Sequence, residues 1–186
     1  MEKGRIPPGQ RKTNRFPVLH VGSVPKFRED DWDFSVEGRV DNPFSMSWKE
    51  FRKLPSVKLV SDFHCVTGWS RLDNEWEGVR FTDIARLAKL KDDARYVTII
   101  AEEGYTTSLP LDVMMDDDVL LAYRFEGEEL PPKHGGPLRL VVPKKYAYKS
   151  AKWVRKIVFT TEKILGFWEL RGYSDSADPW KEERYS

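Results

Sequence analysis

The sequence predicts an α+β domain of mixed sheets with short helices. Its apolar runs are mostly of strand length, as at residues 57–60, 119–125 and 138–142. Its helix signals cover one or two turns each. Strands and helices do not alternate regularly, as a doubly wound parallel sheet would require.

Residues 1–15 are basic, carry two prolines and are expected as an extended N-terminal arm. Residues 16–186 are expected as one domain, with a C-terminal tail from residue 166. Phe16 to Gly22 is apolar but ends in glycine, so it reads as a segment packed across the domain. Phe34, Val36 and Val40 alternate with polar residues as a strand broken near Gly38. Ser47 and Glu50 make a capping box for a short helix from Trp48 to Lys53, which Pro55 stops. Val57 to Phe63 reads as a buried strand that delivers Cys65. Trp76 to Phe81 reads as a second short strand. Thr82 then caps a helix whose Ile84, Leu87 and Ala88 share one face. Tyr96 to Ala101 and Tyr105 to Leu109 flank Glu103-Gly104 as a hairpin. Pro110 opens a helical turn holding Met114 and Met115. Val119 to Phe125, Leu138 to Val142 and Trp153 to Thr160 complete the strands. The aromatic, charged tail is expected to wrap the surface.

A length of 186 residues suits one domain with a sizeable core. The balance of 40% hydrophobic and 33% charged residues is that of a soluble globular protein. A net charge of +1 provides no global field for nucleic acid or membrane. The single cysteine excludes an intrachain disulfide framework. Residues 1–15 lack the apolar core of a secretory signal, and no run approaches the ~18 apolar residues of a membrane span. A cytoplasmic location is the expectation.

Three segments could carry chemistry. The first is Asp62-Phe63-His64-Cys65-Val66-Thr67-Gly68-Trp69-Ser70, where a strand runs out into a loop around the only thiol. A thiolate suits a soft or high-valent metal. A zinc site is not expected, because one Cys and three dispersed His fall short of a four-ligand set. A nucleophile pair of Cys65 with His20 or His134, as in a cysteine hydrolase, stays open, as does a plain buried cysteine. The second segment is His134-Gly135-Gly136-Pro137-Leu138-Arg139, where two glycines permit close backbone approach to a ligand. An ordinary turn is the alternative. The third is the basic segment 144–156, interleaved with aromatics from Tyr146 to Trp153. It reads as a phosphate grip beside a flat heterocycle, or as a solvated basic face. Nucleic acid ranks last.

Together, Cys65-Val66-Thr67-Gly68-Trp69-Ser70, His134-Gly135-x-Pro137-x-Arg139-Leu140-x-x-Pro143 and Lys145-Tyr146-x-Tyr148-Lys149-Ser150-x-Lys152-Trp153 resemble the molybdopterin-binding domain of the sulfite oxidase family. The similarity is to its compact single-domain branch, which includes catalytic subunits of protein-methionine-sulfoxide reductase. The resemblance implies a sulfite oxidase-type fold and a molybdenum-molybdopterin cofactor, with tungsten as the alternative metal. Cys65 matches the family's metal ligand. His134 and Arg139 match positions that contact the pterin or its phosphate. Ser150, Ala151 and Lys152 match the phosphate grip. Leu19 and His20 fall where an N-terminal segment crosses the cofactor. Arg71 is the nearby cation for an anionic substrate, and His64 and Asp62 are candidates to back the thiolate. His134 stands where some relatives have Asn.

The activity implied is oxygen-atom transfer on a small oxo substrate such as sulfite or a sulfoxide. No second redox motif is visible, so a separate electron-transfer partner is implied. The competing reading is a non-catalytic binder of a phosphorylated heterocycle or polyanion through segment 144–156.

Overall fold

Two sheets divide the chain between them in the computed structural model, which describes residues 4–186. The strands, in chain order, begin with β1 (Arg11–Lys12), β2 (Asp33–Gly38) and β3 (Phe44–Ser47). Helix α1 (Trp48–Phe51) precedes β4 (Val57–Cys65) and β5 (Trp69–Arg80). Helix α2 (Phe81–Ala88) leads to the hairpin of β6 (Tyr96–Ala101) and β7 (Thr106–Pro110), and α3 (Leu111–Met114) follows. The remaining strands are β8 (Leu120–Phe125), β9 (Glu128–Glu129), β10 (Arg139–Val141) and β11 (Val154–Thr160).

The first sheet is built on β5. It pairs with β4 along one edge and with β1 and then β8 along the other, and β8 carries β10 and β9. The second sheet runs β3-β2-β11-β6-β7. The larger core lies among β2, β6, β11, α1 and α2, around Phe34, Phe51, Phe81, Ile99 and Phe159. A smaller aromatic core of Phe63, Trp69 and Trp76 backs the end of β4 and includes Cys65.

Local chemistry explains the elements. Ser47 Oγ accepts from Glu50 N while the Glu50 carboxylate accepts from Ser47 N at 2.7 Å, the expected capping box. In α2 the buried residues are Phe81, Ile84, Ala85 and Ala88, an i, i+3, i+4, i+7 stripe. Leu87 is exposed and Arg80, without a side-chain cap, precedes the helix, which corrects the expected face and the expected Thr82 cap.

Strand β5 is the main departure. It starts at Trp69 rather than Trp76 and runs for 12 residues. Its first half buries Ser70 and Asn74, which hide the apolar alternation. Each is satisfied: Ser70 Oγ lies 2.8 Å from His64 Nδ1, and Asn74 Nδ2 donates to Ser61 O and Arg71 O. Strand β4 is half-buried rather than buried, with Lys58 and Val60 facing out.

Positions 1–3 of the expected N-terminal arm lie outside the described residues. The rest of that segment lies along the first sheet, where β1 runs parallel to the start of β5. The tail beyond residue 166 contains two 3-10 turns, Glu169–Arg171 and Pro179–Lys181, and buries Glu169. Among the described residues no helix is long and apolar enough to cross a membrane.

Candidate active site

Strand β4 delivers Cys65 to a tight reversal. Gly68 N donates to Cys65 O at 3.0 Å, and Gly68 takes the left-handed φ of +95° that closes the turn into β5. The Cys65 thiol lies 3.1 Å from the Thr67 hydroxyl. It borders a cavity of about 310 Å³, at the small end of the ~300–1,000 Å³ usual for small-molecule sites.

The cavity wall draws on distant parts of the chain. Phe16, Leu19 and His20 cross one side, with the His20 ring edge-on to Trp153 at 5.2 Å. Tyr148, Trp153, Trp168 and Tyr173 supply aromatic surface. Arg139, Ser150, Ala151 and Lys152 supply the polar side. No carboxylate lines it among the described residues.

That electrostatic imbalance is the main physical feature of the site. Arg139 is buried, yet its guanidinium bonds only to carbonyls: His134 O at 2.8 Å, Ser150 O at 2.9 Å and Leu140 O at 3.4 Å. It lies over Phe63 and Trp76, 5.1 and 5.6 Å from their ring centres. Burial pulls its pKa down to about 9, which leaves it a cation at neutral pH. Lys152 donates to Leu19 O at 3.0 Å and Lys133 O at 2.8 Å. Burial, then Arg139, pushes its pKa down to about 7. Neither Arg139 nor Lys152 has an acidic partner, so holding both charged here is costly, and an anionic guest offsets that cost.

Gly135 brings the two cations together. At its φ of +111° a Cβ would meet Arg139 Cβ at 2.9 Å and Lys152 Cβ at 3.0 Å, so a side chain there would push them apart. Among the cavity-lining residues the Trp69 indole nitrogen is buried and unbonded, a free donor. Ser150 Oγ accepts from Val142 N at 2.9 Å and keeps its own proton to donate. A thiol, two unpaired cations, unused donors and aromatic walls fit a flat heterocycle that carries negative charge and a high-valent metal able to take a thiolate. A molybdopterin is such a group.

Seven sequence-predicted residues meet at this cavity: Leu19, His20, Cys65, Arg139, Ser150, Ala151 and Lys152. Two do not line it. His134 lies one layer behind, its ring stacked on Phe16 at 4.2 Å. Burial, then Lys152 and Arg139, push its pKa down to about 4, so it is neutral. Arg71 is turned away, bonded to Asn74 and to Glu126 at 2.9 Å and set over the Phe125 ring. That ion pair holds Arg71 outside the cavity wall.

His64 and Asp62 do not back the thiolate either. Strand alternation turns His64 to the face opposite Cys65, where it meets Ser70 and the edge of Trp180. Asp62 pairs with Arg5 at 2.5 Å. The thiol's side-chain partner is Thr67, and neither His20 nor His134 bonds it, so the Cys–His nucleophile pair is not assembled.

Segment 144–156 is not one basic face. Lys144 pairs with Asp116, Lys149 with Glu169, Arg155 with Asp33 and Glu102, and Lys156 with Glu37. The polyanion-binder reading loses its charge patch, and Lys152 alone of these cations turns to the cavity. Sequence reasoning missed Phe16, Tyr105, Trp168 and Tyr173 as wall residues. For Phe16, Trp168 and Tyr173 the only signal was the aromatic content of the two ends of the domain, and for Tyr105 there was none.

Comparison with known proteins agrees with the chemistry. The family model described as "Oxidoreductase molybdopterin binding domain" matches residues 21–168. The uncharacterized oxidoreductase YuiH of Bacillus subtilis is 50% identical over 186 residues, which is all of this chain and 94% of that protein. The protein-methionine-sulfoxide reductase catalytic subunit MsrP of Campylobacter jejuni is 29% identical over 166 residues, 80% of this chain and 56% of that protein. The chain therefore spans little more than half of that relative. The sulfane dehydrogenase SoxCD of Paracoccus pantotrophus shares the fold, with a TM-score of 0.68 at 21% identity over 75% of this chain and 40% of that one. The chain belongs to the sulfite oxidase family of molybdopterin-binding oxidoreductases, enzymes whose cofactor is a molybdenum-molybdopterin.

Proposed function

We propose that this oxidoreductase transfers an oxygen atom to or from a small oxo substrate, with Cys65 as the protein ligand of its metal. The observation that carries the reading is the Cys65 thiol at a cavity that also holds Arg139 and Lys152 and, among the described residues, no carboxylate. The bound cofactor supplies the two-electron oxo chemistry, and the chain positions and tunes it.

Each wall then has a task. Cys65 contributes a soft, charge-donating thiolate, held in direction by Thr67. Arg139 and Lys152 bind the anionic part of the cofactor, and Ser150 adds a hydroxyl donor next to the Ala151 backbone. Leu19 and His20 cover the outer side and limit water. His134 stays neutral and holds Phe16 in place by stacking. Electrons pass to or from a separate partner, in keeping with the Campylobacter relative's name as a catalytic subunit. Sulfite and sulfoxides are the substrate classes to screen.

The test is Cys65→Ser, which replaces a soft donor with a hard one. Loss of the visible absorption of the loaded protein, with loss of turnover, is the expected result. A variant that keeps both the metal spectrum and the activity would remove Cys65 from the coordination shell.

A further inference from the structure

Three carbonyls of the reversal at residues 65–68 are held by segments that lie outside the matched stretch 21–168. Gln10 Nε2 donates to Cys65 O at 3.0 Å. Arg11 N donates to Gly68 O at 3.0 Å. From the tail, Arg184 Nη1 donates to Val66 O, 118 residues away in sequence. Arg184 also reaches Gly9 O at 3.5 Å, so it ties the N-terminal segment to the turn. The packing there is close: Gly9 has φ of +68°, and a Cβ on it would run into Glu182 and Arg184.

The Arg184 side chain is itself well placed. It is 18% exposed and lies 5.0 Å from the Tyr146 ring centre, while its only acidic neighbour, Glu182, stands 3.8 Å off among the described residues. Nη1 is thus directed to the Val66 carbonyl, while Nη2 is shared between Gly9 O and the ion pair with Glu182.

We propose that Gln10 and Arg184 are positioning residues of the active site, which clamp the Cys65 turn from the N-terminal segment and the C-terminal tail and so set where the thiol points. For the loaded enzyme the inference rests on the reading of Cys65 as metal ligand. For the turn itself it does not. A turn with carbonyls fixed on both sides holds the Cα–Cβ direction of Cys65, and the Thr67 hydroxyl then orients the thiol, so that a metal ligand meets its ion without reorganisation.

The test uses the full chain with Arg184→Met, Arg184→Lys and Gln10→Leu. Without cofactor, Cys65 is alkylated with iodoacetamide and the rate compared with the parent. Loss of one clamping hydrogen bond is expected to raise the rate about three- to tenfold in Arg184→Met and Gln10→Leu. Arg184→Lys, which keeps a donor and the charge, stays near the parent. Removing a cation near a thiol by itself slows alkylation, so acceleration reports opening of the turn. In the holoenzyme the visible absorption is expected to shift in the same two variants and return in Arg184→Lys.

Unchanged alkylation in both Arg184→Met and Gln10→Leu overturns the proposal. So does a rise that only follows a fallen melting temperature, since that is global unfolding. The alkylation measurement involves no metal, so its failure is distinct from a failure of Cys65→Ser to change the metal spectrum.

Discussion

Lys149 Nζ lies 2.5 Å from Glu169 Oε1, with both side chains 1% exposed. The pair joins two parts of the cavity wall. Lys149 immediately precedes Ser150, Ala151 and Lys152, and Glu169 immediately follows Trp168. Thr107 Oγ1 adds a bond to Glu169 Oε1 at 2.7 Å, and Lys149 Nζ donates to Ser108 O at 2.8 Å. The tail is thus pinned to the sheet by a desolvated ion pair.

Removing Lys149 leaves the Glu169 carboxylate buried without its cation, whereas Lys149 without Glu169 keeps Asp175 at 3.6 Å. Lys149→Met alone is expected to cost about 3–5 kcal/mol. Adding Glu169→Leu should recover most of it, because the second charge leaves too. Urea unfolding of the two single variants and the double variant measures the coupling. Additive losses would show that the pair contributes nothing of its own.

Lys152 gives a prediction about the cavity's charge. Its pKa, down to about 7 from burial and Arg139, sets a sign. Between there and the ordinary lysine value the unfolded chain holds more protons, so the cofactor-free protein gains stability as pH rises through that window. An anionic guest reverses the shift. Lys152 should therefore react readily with an amine-acylating reagent near pH 8 in cofactor-free protein and be protected once loaded, as read by peptide mass spectrometry. Lys152→Met should lower cofactor retention about tenfold or more, from loss of a charge-assisted contact. Equal labelling of the two forms would place the anion elsewhere.

His134 predicts the acid limb. It is neutral in the fold, with a pKa down to about 4 caused first by burial and then by Lys152 and Arg139. The unfolded chain protonates first, so its contribution to stability is present above the ordinary histidine value and is lost as pH falls toward about 4. His134→Leu should flatten that limb of the stability–pH curve of cofactor-free protein. A slope unchanged by the substitution would mean the imidazole is not held neutral.

Much of the fold was legible because its signals are local. The Ser47–Glu50 box, the β6–β7 hairpin and the apolar runs of β8 and β10 need only neighbours in sequence. Strand β5 was not legible in its first half. Ser70 and Asn74 are buried there through hydrogen bonds to His64, Ser61 and Arg71, and no apolar alternation records such pairings. Leu87 looked like core by spacing but faces out, since the buried stripe of α2 runs through Phe81, Ile84, Ala85 and Ala88.

For the site, the sequence alone determined the chemistry on offer: a lone soft thiol, a glycine-bracketed cation and a run of donors in three ordered segments. Tertiary structure decided which of them meet. It turned Arg71 to Glu126 and His64 away from the thiol, and it neutralised most of segment 144–156 with carboxylates from other strands. It also brought Arg184 of the tail and Gln10 near the start onto one turn. The physical reason is that side-chain direction and charge pairing depend on long-range strand register and packing, which no window of neighbouring residues contains.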